Sequence, residues 1–284
     1  MRKYTIKDFN AQFPDNNACL EWIKNKKYPD GITCKSCEMV TNHSKLSGIP
    51  VYSCNRCGAH THPMSGTIFK DSRTPLKSWF YAIFLISHTR CGISAKQLER
   101  EIGVTYKTAF RMFHLIRGML QDTNEPVCGE IEIDETYIGG RCYGGKGGRS
   151  MADNKTAVLG IAQRKGIISA RKIENAKSST ILPIVKENVL SLSMIYTDEF
   201  VSYNKLRENH YFHKKINHGI KEWARGTVHT NNIEGFWSTL KRGIDGVYHA
   251  VRPKYVQNYI NEYVFRYNHR LDEQPIFLTI LEKV

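Results

Sequence analysis

The chain of 284 residues lacks any apolar run long enough to cross a bilayer. Its longest apolar stretch, "WFYAIFLI" at Trp79–Ile86, has eight residues, whereas a spanning helix needs about 20. The basic start "MRKYTIKDFNAQF" is not followed by the apolar segment of a secretory leader. Together these absences predict a soluble, cytoplasmic protein. In that compartment the eight cysteines are expected as thiols or metal ligands rather than disulfides. Acidic residues are also short, with 27 Asp and Glu against 41 Lys and Arg, a formal charge of +14. That exceeds the roughly 2–8 charges that keep a small domain soluble, and it favours a polyanionic partner, most simply nucleic acid. No internal repeat is visible, and "GGRCYGGKGGR" does not have the spacing of a phosphate-binding loop. Hydrophobic content of 41% with 11% aromatics can build a packed core, which excludes a disordered tail.

Hydrophobic periodicity divides the chain into three parts. Residues 1–72 hold a helical lead-in, with Phe9, Phe13, Cys19, Leu20, Trp22 and Ile23 as apolar positions, and then a loop-rich, cysteine-bearing segment. Residues 73–124 turn helical, with Leu76, Trp79, Phe80, Ile83 and Phe84 at three-to-four spacing behind Pro75, a residue suited to a helix start. Residues 125–284 read as mixed α/β. "EIEIDETYI" is a strand, "AVLGIAQR" and "GIISARKIE" form a hairpin, and "MIYTDEF" is a further strand. Helix resumes at Asn231 in two segments broken around "GIDGVYHAVRP". The resulting order is β-β-β-α-β-(α)-β-α.

In the first part, "CKSC" and "CNRC" place Cys34, Cys37, Cys54 and Cys57 as two C-x2-C knuckles with 16 residues between them. Two such knuckles can surround one Zn2+ with four thiolates. The four sulfurs fill a tetrahedral shell, so His43, His60 and His62 are expected at the surface, and Cys19, Cys91, Cys128 and Cys142 as plain thiols.

In the second part, "GISAKQLEREIGVTYKTAFRMFHLIRGML" predicts a helix-turn-helix. Ser94 can cap the first helix with Gln97 three residues on, Gly103 suits the turn, and Thr105 can cap the second helix. Ala109, Met112, Phe113, Ile116 and Leu120 form the buried stripe. Tyr106, Lys107 and Arg111 then lie where a recognition helix meets bases and phosphates. The same surface would also serve an ordinary helical hairpin.

The third part carries the acids. In "GEIEIDETYIGG", period-two geometry puts Ile131 and Ile133 on one face and Glu130, Glu132 and Asp134 on the other. Glu130 and Glu132 lie roughly 7–14 Å back along the strand from Asp134, too far for one metal pair to use all three, and Glu135 points away, as Glu199 does beside Asp198. Asp198 ends the strand "MIYTDEF". In "HTNNIEGFWSTLKRGI" a helical wheel groups Ile233, Phe236, Trp237, Leu240 and Ile244, with Asn231, Glu234, Ser238 and Lys241 on an adjoining polar face. Two strand-borne aspartates and a helix-borne glutamate can converge. Carboxylates without thiolate or imidazole suit Mg2+ or Mn2+, and two such ions can serve phosphodiester chemistry. His218 and His229 are expected as surface or hydrogen-bonding residues, and Arg141, Lys146 and Arg149 as DNA contacts or a solvated loop.

With these motifs in order behind the cysteine module, "IEIDETYIGGR", "IYTDEF" and "HTNNIEGFWSTLKRGI" resemble the DDE transposases of bacterial insertion sequences, in the group with an N-terminal zinc ribbon. The resemblance runs from about residue 15 to 270. It implies a ribonuclease-H-like catalytic domain, double-stranded DNA as partner, a homo-oligomer on element ends, strand cleavage and 3′-hydroxyl transfer. It further implies that Asp134, Asp198 and Glu234 hold the metal and that Lys241 contacts phosphate. Asparagine occurs at or beside the third position in this group, so Asn231 and Asn232 stand as alternatives or helpers. Two other functions fit the same composition: a DNA-binding regulator without catalysis, and a related nuclease.

Overall fold

The computed structural model describes residues 4–121, 125–139, 155–217, 219, 222 and 224–284. Among these, the chain begins with helices α1 (Ile6–Gln12) and α2 (Asn16–Lys27). Short strands follow: β1 (Thr33–Cys34), β2 (Met39–Val40), β3 (His43–Lys45), β4 (Tyr52–Cys54) and β5 (His60–Thr61). Next come α3 (Leu76–His88), α4 (Ala95–Ile102) and α5 (Tyr106–Met119). The acidic strand is β6 (Glu130–Ile138), followed by β7 (Thr156–Gln163), β8 (Ile168–Ile173), α6 (Ser178–Asn188) and β9 (Met194–Thr197). A 3-10 helix (Val201–Asn209) leads to β10 (Phe212–Lys215). The chain then forms α7 (Asn231–Gly243), a π-helical turn (Ile244–Tyr248), α8 (Val256–Asn268) and α9 (Ile276–Glu282).

These elements form two compact units. One comprises residues 1–89, 95–119 and 272–284; the other comprises 90–94 and 120–271. In the first, local chemistry sets the helix starts. The Thr5 hydroxyl accepts from the Asp8 amide and the Asp8 carboxylate accepts from the Thr5 amide, a capping box, while the Asp15 carboxylate accepts from the Asn17 and Ala18 amides. An aromatic core of Phe9, Phe13, Phe80 and Phe84 closes against Phe277 of α9. The cysteine segment, expected as loop, contains a two-stranded sheet β1-β2 and a three-stranded sheet β3-β4-β5. Strands of two or three residues are too short to show alternation, which is why sequence periodicity misses them.

In the second unit a five-stranded sheet has the order β10-β9-β6-β7-β8. β6 pairs antiparallel with β7 and parallel with β9; β7 and β8 are antiparallel, β9 and β10 parallel. This mixed α/β sheet has helices on both faces. Ile131 and Ile133 pack with Leu159 and Ile161 beneath α6 and the 3-10 helix, through Ile181, Val185, Tyr203 and Leu206. On the opposite face Ile138, Val158 and Ala162 pack with Ile233, Phe236, Trp237 and Leu240 of α7 and with Ile260 and Val264 of α8. The polar side of β6 is therefore covered as well, and helix α7 lies over it. The tail adds α9, a third helix beyond the two read from the sequence.

Candidate active site

Strand β6 carries Asp134 on the face beneath α7, opposite Gly160 of β7 in the antiparallel register. The parallel pairing of β6 with β9 runs through Glu132↔Tyr196, so Asp134 and Asp198 lie in the next same-face positions, where β9 ends. The Asp198 carboxylate accepts from the Phe200 amide at 2.9 Å, which turns the chain into the 3-10 helix. Glu234 stands in the first turn of α7, exposed, and accepts from the Thr230 hydroxyl at 2.6 Å. Trp237, one turn further, donates its indole N–H to the Asp134 carboxylate at 3.0 Å. It is thus core, as expected, with a polar tip on the acid.

Asp134 responds to the acids around it. Burial first, then the charges of Glu135, Asp198 and Glu234, push Asp134 up from its ordinary 3.8 to about 7. Carboxylate oxygens without thiolate or imidazole are a donor set that could hold a hard divalent cation. Glu135 faces the other side of the sheet, where the buried Tyr203 hydroxyl donates to it at 2.6 Å. That burial and the nearby carboxylates raise Tyr203 well above its ordinary range. Among the described residues, the cysteine quartet is the His, Cys, Asp and Glu group drawn together as closely as ligands of a single ion.

The alternatives at the head of α7 separate. Asn231 is exposed, whereas Asn232 turns its amide to Glu132, with Nδ2 and the backbone N–H each 2.8 Å from the carboxylate. Lys241 is exposed two turns beyond Glu234. Glu132, which sequence reasoning set aside as too distant, is fully buried and salt-bridged to Arg164 Nε at 2.8 Å. Its position on the Asp134 face was readable from strand alternation, but its partner at the end of β7 was not. His229, expected as a surface or hydrogen-bonding residue, also lies 3.2 Å from this carboxylate.

Cys34, Cys37, Cys54 and Cys57 bring their sulfurs to within 4.8 Å of one another. Each knuckle turns the same way: the residue after its second cysteine, Glu38 or Gly58, has positive φ and donates its amide to the carbonyl of the first. The Thr41 hydroxyl beside Cys54 draws that thiol down to about 6, while Cys57 and burial push Cys37 up to about 12. Four thiols crowded in this way fit one zinc ion. His43 Nδ1 instead meets the Thr41 carbonyl at 2.9 Å.

Helix α4 buries Leu98 and α5 buries Ala109, Met112, Phe113 and Ile116, with Gly103 between the helices at φ 67°. Tyr106, Lys107 and Arg111 are exposed on α5. The Thr105 hydroxyl accepts from the Thr108 amide at 3.4 Å. Arg141, Lys146, Arg149 and His218 lie outside the described residues.

Residues 126–268 match a family described as the ISXO2-like transposase domain. A protein of Halobacterium salinarum, described as an uncharacterized protein in transposable element ISH50, is 27% identical over 236 residues, 76% of this chain and 79% of its own length. An uncharacterized transposase-like protein of Haemophilus influenzae is 32% identical over 96 residues, 34% of this chain and 76% of its own. Two solved structures are also similar. The simian T-cell lymphotropic virus intasome in complex with PP2A regulatory subunit B56 gamma gives 17% identity and a TM-score of 0.30, over 64% of this chain and 65% of that one, just under two thirds. The Mos1 strand transfer complex gives 10% identity and a TM-score of 0.25, over 71% and 77%. No helix among the described residues is long and apolar enough to cross a membrane.

Proposed function

The chain belongs to the ISXO2-like family of DDE insertion-sequence transposases, and from that premise we propose that Asp134, Asp198 and Glu234 form its catalytic metal-binding set. The observation that carries this reading is that Asp134 and Asp198 each stand two residues beyond the last β6–β9 pair, Glu132 and Tyr196, while Trp237, one turn after Glu234 on α7, bonds the Asp134 carboxylate. The sheet, helices on both sides and acids at one end of the central strands support a ribonuclease-H-like domain in the region read as 125–284, short of residues 272–284, which belong to the first unit. Divalent Mg2+ or Mn2+ bound by these oxygens would supply Lewis-acid stabilisation of attacking and leaving oxygens at a phosphodiester.

The residues of the chain do the rest. Trp237 holds one Asp134 oxygen in place through its indole N–H, and the Phe200 amide holds Asp198. Lys241, two turns along α7, offers a charge to a DNA phosphate near the acids. The zinc ribbon of residues 1–72 and the α4–α5 pair of residues 73–124 supply double-stranded DNA binding in this reading, with Tyr106, Lys107 and Arg111 facing the duplex and Arg141, Lys146 and Arg149 adding basic contacts. The +14 charge fits a polyanion held against a small acidic pocket. The reaction is cleavage at element ends and joining of the 3′-hydroxyl to target DNA, within a homo-oligomer assembled on those ends in the cytoplasm.

The test is a nicking and strand-transfer assay with purified protein and duplexes taken from the DNA that flanks its coding region, where this reading expects short inverted repeats. Activity should require Mg2+ or Mn2+. Full activity of Asp134→Asn or Asp198→Asn would overturn the site assignment. Nicking without transfer of pre-cut ends would point to a nuclease instead.

A further inference from the structure

The buried charged cluster at the entrance to α7 has no part in the reading above. Glu132 is fully buried, and both its oxygens are occupied. Oε1 accepts from Arg164 Nε at 2.8 Å and Asn232 Nδ2 at 2.8 Å, and lies 3.2 Å from His229 Nδ1. Oε2 accepts from the backbone amides of Asn232 at 2.8 Å and Ile233 at 3.2 Å. Saturated in this way, the carboxylate has no lone pair to give a cation. Its position at the first turn of α7 also places negative charge at the positive end of that helix.

Arg164 extends the cluster. It donates to the Thr227 carbonyl at 2.7 Å and the His229 carbonyl at 2.9 Å, and its guanidinium lies 4.0 Å from the centre of the Tyr196 ring. The Tyr196 hydroxyl in turn donates to Glu130 at 2.6 Å. One guanidinium thus grips the segment entering α7, the residue two before Asp134 and the residue two before Asp198.

Burying such a pair is expensive, and an apolar pair of equal volume would pack α7 without that expense. The apolar packing of Ile233 and Trp237 and the Trp237–Asp134 bond already hold the helix against the sheet. Directional bonds to two consecutive amides at its head add a second fixed point for its register. A slip of one residue would swing Glu234 by about 100° around the helix axis.

We propose that Glu132 and Arg164 are positioning residues that clasp α7 to β6 and β9 and thereby set Glu234 against Asp134 and Asp198. The proposal rests on reading those three acids as the metal-binding set.

The experiment uses the full zinc-loaded chain with Glu132→Gln, Arg164→Lys and the control Asp134→Asn. Circular dichroism and DNA binding report folding, calorimetry reports Mn2+ affinity, and hydrogen exchange reports the Asn232 and Ile233 amides. Both clasp variants should keep fold and DNA affinity while Mn2+ affinity falls about 10–100-fold. Nicking should lose kcat with KM for DNA unchanged, and excess Mn2+ should restore part of the rate. Faster exchange at Asn232 and Ile233 should accompany these losses. Folded variants with native Mn2+ affinity and native kcat would overturn the clasp. If Glu132→Gln does not fold, Arg164→Lys, which leaves the helix amides on Glu132, decides by the same readings. Failure of both to fold would make the cluster a folding requirement and reject the proposal. If Asp134→Asn keeps Mn2+ binding and nicking, the catalytic reading itself fails. Loss in Asp134→Asn alone, with native clasp variants, sinks only the clasp.

Discussion

Asp134 and Asp198 keep the offset of 64 residues that pairs β6 with β9 through Glu130 and Met194, Ile131 and Ile195, and Glu132 and Tyr196. Groups that serve one site act as a unit, and losses within a unit do not add. Asp134→Asn and Asp198→Asn are each expected to reduce nicking to background, and the double variant to be no worse than either. A plasmid-nicking time course in Mn2+ measures this. A double variant falling by the product of the two single losses would show independent roles.

Gly160 faces Asp134 across the β6–β7 ladder. A Cβ there would run into the Trp237 ring and the Ile233 δ-carbon, so α7 would have to lift away. Gly160→Ala should cost about 1–3 kcal/mol, as overpacked cores do, and nicking should fall with it. Gly235, on the open side of the same helix with nothing near its Cβ, is the control: Gly235→Ala should gain roughly 0.5–1 kcal/mol. Urea unfolding of the pair reads both signs.

The cysteine quartet should hold one zinc ion per chain, measured by metal analysis of the purified protein. Cys34→Ser or a strong chelator should remove it. Hydrogen exchange should then accelerate in residues 33–61, while the five-stranded sheet keeps its protection. The ribbon is tied to α2 by the Tyr52 hydroxyl, which donates to Glu21 at 2.6 Å, so part of the loss should spread to that helix.

His213 supplies a pH dependence. Its Nε2 lies 2.9 Å from the Thr197 hydroxyl, which donates to the Asp198 carbonyl at 2.7 Å, and among the described residues no group meets its Nδ1. Burial first, then Lys215 and Arg207, pull it from 6.5 to about 4. The unfolded chain takes up a proton in that window which the folded chain refuses. Stability should therefore be unaffected by this group above pH 6.5 and fall as pH drops toward 4. Thermal unfolding at pH 7 and 4.5 should show a smaller drop for His213→Gln than for the native chain.

Spacing and periodicity disclosed much of this structure. The two C-x2-C knuckles, the faces of β6 and the apolar stripe of α7 all depend on residues near in sequence. The role of Glu132 was hidden because its partners Asn232 and Ile233 are 100 and 101 residues away and Arg164 sits at the end of a hairpin arm, where a charge reads as solvated. Asn232 could be named beside the acids from its motif, but only the rotation of α7 separates it from Glu234.

The first unit is closed by residues 272–284. Phe277 packs edge-on against Phe9, Phe13 and Phe84, and Lys26 donates to the Leu281 carbonyl at 3.0 Å. During synthesis, then, the segment made first waits for α9, and the whole sheet-bearing unit is made in between. A nascent chain stopped before residue 272 leaves those phenylalanines uncovered, so truncation at the far end should be felt as aggregation of the near one.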